Sequence, residues 1–567
     1  MSARALLLAG LAGLAGLAGL AAGCAHDAAV PRVRFANAPA VTAVDDRRDV
    51  PARPATRGFV RHLYHFDGSF YRLVTRGLEL PRPRRALGVN ALDEVPDSTW
   101  FTNRIGAREL SLEELRRGPA TAGSPEPHRP WTIHSTKVGG ASVGFIITDA
   151  RGERFLLKFD RAGFPEVETA AEVILNKLLW ACGYNVAEDH IVYFRPEDLV
   201  IAPDAIVKDW TGVLGRLDRA GLARSLAKIV HEPDGRIRGM VSRMLDGKSL
   251  GGHAAEGVRP DDPNDRIPHE LRRDLRGAYG FFAWLDLTDV KEDNSLDMWV
   301  ADPADPGRHY VKHYLIDFGT SLGAAAMFVS DPRQGHAYRV DFPDMFRSLA
   351  TLGLRERSWE RRAAPALRGV GLLDTATYDP GAWKPETPVY VPFRTADDLD
   401  KLWASRILIR FTRAQLRAVV ETARLSDPRA VDYVTDALVA RQRATARHWF
   451  WRHSPLDRFA AGGGDGDGRA LCFDDLMLAY DLAPVAGATR YTVAAHDRRG
   501  RLLGPARALR PGAGGRTCAP LAVAPDGDGY TIVRIETRRL RFTGETHVHV
   551  ARDPATGAPR VIGVWRP

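Results

Sequence analysis

At 567 residues the chain is too long for a single hydrophobic core, so two or three domains are expected. Apolar residues at 45% and charged residues at 26% are ordinary for a folded soluble protein. The net charge of +9 comes from 69 arginines against ten lysines, with Asp and Glu interleaved throughout; no long basic run or aromatic-studded RNA motif appears, which argues against a nucleic-acid partner.

Residues 1–24, "MSARALLLAGLAGLAGLAGLAAGC", carry one charge (Arg4), an apolar run and a small-residue end. That pattern is a secretory signal and not a transmembrane helix with flanking anchors. Its end, Leu20-Ala-Ala-Gly-Cys24, resembles a bacterial lipobox, departing from it at Ala21, where Leu, Val or Ile is preferred. The resemblance implies a palmitate-type lipid anchor on Cys24 and a periplasmic or cell-surface envelope location. Ala25, standing where an Asp would retain the chain at the inner membrane, implies outer-membrane sorting. Ordinary signal cleavage and a simple anchor are the alternatives. From Ala25 to about Arg57 the chain is rich in Ala, Pro, Arg and Val without periodicity and reads as a flexible tether. Residues 58–130 mix short apolar pieces with turn signals and suggest no chemistry.

From Trp131 the pattern sharpens. "WTIHSTKVGGASVGFIITDARGERFLLKFD" alternates around a glycine cluster and a turn, and predicts a hairpin or three-stranded meander. "PEVETAAEVILNKLLWACG" predicts a helix, with Pro165 near its start and Gly183 just past its end. A strand follows in "YNVAEDHIVYF". Residues 270–288 read as helical, then come a loop, a strand at Ser295–Val300 and a second strand ending at Asp317. Residues 396–450 are helical again; Thr412 and Gln415 are spaced as a capping box, and Asp427 before Pro428 marks another start. A linker is expected at 456–470, and strands between Gly, Pro and Asp turns predict a small all-β sandwich over 471–567. Cys472 and Cys518 in that domain are candidates for one disulfide in an oxidising compartment, Cys182 falls in an apolar helical run, and no cysteine spacing resembles a zinc site.

Five features carry chemistry. Gly139, Gly140 and Gly144 form a loop between strands, whose backbone N–H groups can approach phosphate oxygens. Lys158 lies on the next strand and supplies a point charge, with acids at Glu166, Glu168 and Glu172 early in the following helix. Asp289-x-Lys291-x-x-Asn294 sits on a loop, and Asp317-Phe-Gly ends a strand. Asn294 and Asp317 suit a hard ion such as Mg²⁺; Asp289 can orient or deprotonate a hydroxyl. With ten lysines and seven asparagines in the chain, about 0.015 chance matches to D-x-K-x-x-N are expected.

In this order, the five parts resemble the protein-kinase-like superfamily. The resemblance implies an α+β fold: a bilobal kinase-like domain over 131–455, small lobe about 131–200 and large lobe about 201–455, followed by the β-sandwich. It implies ATP and Mg²⁺ as cofactors, Gly139, Gly140, Gly144, Lys158 and Glu172 as nucleotide-binding residues, and Asn294 and Asp317 as metal ligands. Asp289 and Lys291 become catalytic. Glu172 is preferred over Glu168 and Glu166, because its spacing to a glycine eleven residues on resembles HipA-type chains. Leu287 replaces the usual histidine, Asn294 and Asp317 are 23 residues apart, and no A-P-E segment follows, so the pattern is closest to HipA-type and phosphoinositide-kinase-like branches. The expected activity is phosphoryl transfer to a hydroxyl on a protein, lipid or glycan; a pseudokinase scaffold and AMP transfer are the alternatives. His547 and His549, on one face of a strand, lack a third metal ligand. "DGDG" at 465–468 reads as linker. Lys137 and Lys312 reach either phosphate or solvent.

Overall fold

Strict alternation of buried and half-buried residues builds a strand from Trp131 to Thr136 (β1), with Trp131 and Ile133 on its inner face. It opens a seven-stranded mixed sheet with β2 (Gly144–Thr148), β3 (Arg154–Lys158), β4 (Asp189–Phe194), β5 (Leu199–Asp209), β6 (Gly212–Arg216) and β7 (Ile237–Arg243). The strand order is β4-β7-β3-β2-β1-β5-β6, antiparallel throughout except for the parallel β1–β5 pair. The computed structural model describes residues 33–58, 66–75, 84–138, 142–209, 212–328, 330–462 and 470–567. The small lobe therefore extends to about Arg243, not to 200: β5, β6 and β7 all pair into its sheet, and Leu217, Leu222 and Leu226 close its core.

Helix α1 (Leu112–Arg117) starts on a capping box between Ser111 and Glu114. Helix α2 (Val167–Cys182) is buried on almost every side. It ends at Gly183, whose φ is +133° and where a Cβ would stand 2.2 Å from the Phe101 ring; only glycine fits both constraints. Trp100, Phe101, Ile105, Leu110 and Leu115 join one large core with α2 and with the helices α3 (Arg273–Leu285), α4 (Asp398–Leu408), α5 (Arg413–Glu421) and α6 (Pro428–Phe450). The segment before Trp131 is thus part of the main body, wedged between the helix of the small lobe and the helical lobe. Thr412 caps α5 through its box with Gln415, and Asp427 caps α6 by accepting from Arg429 N–H. A short sheet of β8 (Lys248–Ser249), β9 (Ser295–Asp302) and β10 (Asp305–Leu315) lies at the junction of the lobes.

The C-terminal domain pairs a three-stranded sheet, β11 (Leu456–Ala461), β12 (Ala470–Asp475) and β15 (Arg516–Pro520), with a five-stranded one. The latter runs β14 (Arg507–Leu509), β13 (Thr489–Asp497), β16 (Thr531–Arg539), β17 (Phe542–Arg552), β18 (Pro559–Trp565). Phe473 from the first sheet and Tyr491, Val533, Ile535 and Val548 from the second share a core. Cys472 and Cys518 face each other across β12–β15 and are disulfide-bonded. The segment expected as linker includes β11, so the domain begins at Leu456. Leu476 and Met477 enter the main core, so the sandwich is packed onto the helical lobe.

The stretch expected as a tether is laid against the body from residue 33 on. Phe35 packs edge-on to His549, Val44 N–H donates to Asp97 O, Val50 N–H to His309 O and Arg57 N–H to Leu250 O. Backbone hydrogen bonding needs no apolar periodicity, which is why the composition alone reads as free chain. Cys24 and the segment expected as a signal lie outside the described residues.

Candidate functional site

Lys158 ends β3 directly opposite Gly144 on β2. A Cβ at Gly144 would come within 2.7 Å of Leu157 O and 3.1 Å of the Lys137 side chain. Gly139 and Gly140 lie outside the described residues. Behind β3, α2 and its N-cap residue Glu166 present three acids with three fates. Glu166 pairs with Arg368 at 2.7 Å and accepts from Ser426 N–H. Glu168 lies 3.4 Å from Arg161. Glu172 lies 3.4 Å from Lys158 Nζ.

The chain leaves β10 and turns at Asp317, whose φ of +65° is a left-handed conformation rare for a residue with a Cβ. Asp317 Oδ1 accepts a 2.8 Å hydrogen bond from Lys158 Nζ. Phe318 is buried in the main core and its N–H donates to Glu172 Oε1 at 3.1 Å. Gly319 then lets α2 come close: a Cβ there would sit 2.7 Å from Glu168 Cγ and 3.1 Å from Glu172 Oε2. Lys158, Glu172 and Asp317 are therefore one cluster.

The loop before β9 supplies the other side. Lys291 Nζ lies 2.6 Å from Asp289 Oδ2. Asn294 donates its amide to Asp289 O at 2.7 Å, while Asn294 O accepts from Ile316 N–H, tying the loop to the Asp317 turn. Glu292 anchors the loop from below through Ala255 N–H at 2.6 Å and Arg57 at 2.7 Å. Leu287, at the position of the usual histidine, is buried in the core. One cavity touches Asp289, Lys291, Asn294 and Asp317; it measures only about 20 Å³.

Electrostatics follow the geometry. Burial opposes the charge on Lys158, but Glu172 and Asp317 overcome it and hold the ammonium well above its ordinary pKa. Lys158 in turn draws the Asp317 carboxyl below its usual range, helped by Lys137 and Lys291. Burial raises Glu172 and lifts Glu168 to about 7. Burial and the neighbouring Lys158 lower Lys137. Three of the ten lysines in the chain thus act on one carboxylate. Lys312, by contrast, lies over the Tyr314 ring.

Two contributors carried no signal in the sequence. Asp189 on β4 is buried beside Glu172 and pushed up to about 7, chiefly by burial. Arg57, 235 residues from Glu292, fixes the loop from a segment without periodicity.

No family model and no curated protein matches the sequence. Two solved structures are similar, both of kinases. One is a Golgi casein kinase with Mn/ADP bound, at a TM-score of 0.27 and 10% identity, covering 60% of this chain and 73% of that one. The other is a complex of the Rio2 kinase with ADP/Mg²⁺ and phosphoaspartate from Chaetomium thermophilum, at a TM-score of 0.19 and 15% identity, covering 49% and 71%. At scores this low, function has to be argued from the geometry of the site.

Proposed function

We propose that the cleft binds a magnesium nucleotide and transfers its terminal phosphoryl group to a hydroxyl acceptor. The observation that carries this is the gathering of Asp289, Lys291, Asn294 and Asp317 around one cavity, with Lys158 Nζ bonded to Asp317 Oδ1 at 2.8 Å and Asn294 tied to the same turn. Ammonium groups beside carboxylate and amide oxygens in one cleft are suited to polyphosphate plus a cation.

Asp317 and the Asn294 side-chain oxygen are hard oxygen donors that would hold Mg²⁺. When bound, the ion supplies neutralisation of charge on the phosphate oxygens. Lys158, kept in place by Glu172, binds the phosphates. Asp289 orients the acceptor hydroxyl and takes its proton as the oxygen bonds the terminal phosphorus and the bond to the leaving diphosphate breaks. Lys291, now against Asp289, meets the oxygens of the group in flight. Attachment to the envelope through an acylated Cys24 completes the reading; a protein, lipid or glycan would supply the hydroxyl.

A second reading, a scaffold that binds nucleotide or protein without catalysis, is favoured by one feature. Lys158 Nζ already bonds Asp317 Oδ1 at 2.8 Å, so the carboxylate that would hold the ion is taken up by an ammonium. Binding of a metal nucleotide requires that bond to open.

Thermal unfolding of the full chain with ATP, Mg²⁺, or both separates the outcomes. Joint addition should raise Tm more than either alone, and transfer from labelled ATP should follow. No shift under any condition sinks both readings; a shift without transfer leaves the scaffold.

A further inference from the structure

Around Trp100 the described residues gather a buried set of imidazoles and carboxylates that the cleft does not use. His313 on β10 stands directly opposite Asp297 on β9, and its ring stacks on Trp100 at 3.5 Å. His253, placed by a hydrogen bond from its backbone N–H to Ser295 Oγ, meets the same indole edge-on. All three groups are at least 97% buried. One ligand atom from each of His253, Asp297 and His313 falls within 4.8 Å of the others.

Their hydrogen bonding is incomplete. His253 Nε2 has no partner, and Nδ1 stands 3.4 Å from Asp297 Oδ1, too long for a strong bond. Nearby, Asp262 Oδ2 and Asp265 Oδ1 are also buried without a hydrogen bond. A buried imidazole with neither nitrogen satisfied is costly, and a bound ion is among the usual reasons for such a group.

We infer that His253, Asp297 and His313 form a zinc site. Two imidazoles and one carboxylate in a closed, buried setting suit Zn²⁺ better than Mg²⁺ or Ca²⁺. A tetrahedral ion about 2.0–2.1 Å from each ligand separates ligand atoms by roughly 3.3 Å, close to the His253–Asp297 distance. The His313 Nδ1–Asp297 Oδ1 hydrogen bond, 2.7 Å, opens to the same spacing as the proton leaves Nδ1 for solvent and metal bonds replace it. Arg259, 3.3 Å from Asp297 Oδ2, holds the other carboxylate oxygen and leaves Oδ1 for the ion. A cavity of about 10 Å³ bordered by Trp100, Asn185, His253 and His313 supplies room for a water as fourth ligand. The ion clamps the β9–β10 hairpin three residues after Asn294 and four before Asp317. The inference stands whether or not the cleft transfers phosphate.

The test is elemental analysis of the full chain, produced with zinc and dialysed against a mild chelator. Wild type should retain one zinc per chain. His253→Gln should lose it, and Asp317→Ala, which alters only the cleft, should keep it. As a measurement that needs no variant, cobalt-loaded wild type should show the intense visible bands of a tetrahedral site. Wild type without stoichiometric zinc and without those bands overturns the site, as does equal zinc in a folded His253→Gln protein.

Discussion

Lys158 Nζ bonds Asp317 Oδ1 at 2.8 Å across 159 residues of chain, while the same nitrogen lies 3.4 Å from Glu172. One ammonium thereby joins a strand of the small lobe, the buried helix α2 and the turn that enters the helical lobe.

Removing it should cost stability before it costs chemistry. The Glu172 side chain is 5% exposed, so Lys158→Ala strands a buried carboxylate, a loss of about 3–5 kcal/mol. Adding Glu172→Gln should restore part of that loss. Chemical denaturation of the single and double variants is the check, and equal instability of the two would break the argument.

Asp289 and Asp317 should fail differently. Asp317→Ala should weaken Mg²⁺-dependent nucleotide binding and abolish transfer. Asp289→Asn should leave binding nearly intact and lower turnover by about 10²–10⁴-fold, the usual range for a positioned base. Calorimetric titration beside a transfer assay distinguishes them; wild-type turnover no higher than that of Asp289→Asn would leave the scaffold reading.

The Cys472–Cys518 bond closes a loop with a sequence separation of 46, for which chain entropy gives about 4 kcal/mol or less. Replacing both by Ser should lower the unfolding midpoint of the β domain, and reductant should shift wild type the same way. Indifference to reductant in a folded wild type would contradict it.

Acidification should weaken the sandwich. Burial lowers the His549 imidazole to about 3, with His547 and Arg34 adding to the effect. An unfolded chain binds that proton below about pH 6.5 while the folded one does not until about pH 3, so stability falls across this window and is unaffected above it. The slope approaches about 1.4 kcal/mol per pH unit for one group. His549→Gln should melt with a shallower pH dependence between about pH 6.5 and pH 4.

Legibility followed locality. Helix α2, its stop at Gly183 and the caps at Thr412 and Asp427 are set by neighbours a few residues apart, so spacing reveals them. Lys158, Asp289, Asn294 and Asp317 were visible because their short motifs fix residue type and order. The extent of the small lobe was not, because β5 and β7 acquire meaning only by pairing with distant β1 and β3. The strap at 33–57 and the His253–Asp297–His313 cluster were hidden for the same reason: their partners are far apart in sequence, and nothing local marks them.

The strap also sets a height. Its first described contacts, Arg34 on Arg498 O and Phe35 on Tyr530 and His549, are made on the β sandwich. With Cys24 acylated as proposed, nine or ten residues separate the bilayer from that contact, a fully stretched span of about 30 Å. The sandwich is then held within that span of the lipid, on a short leash.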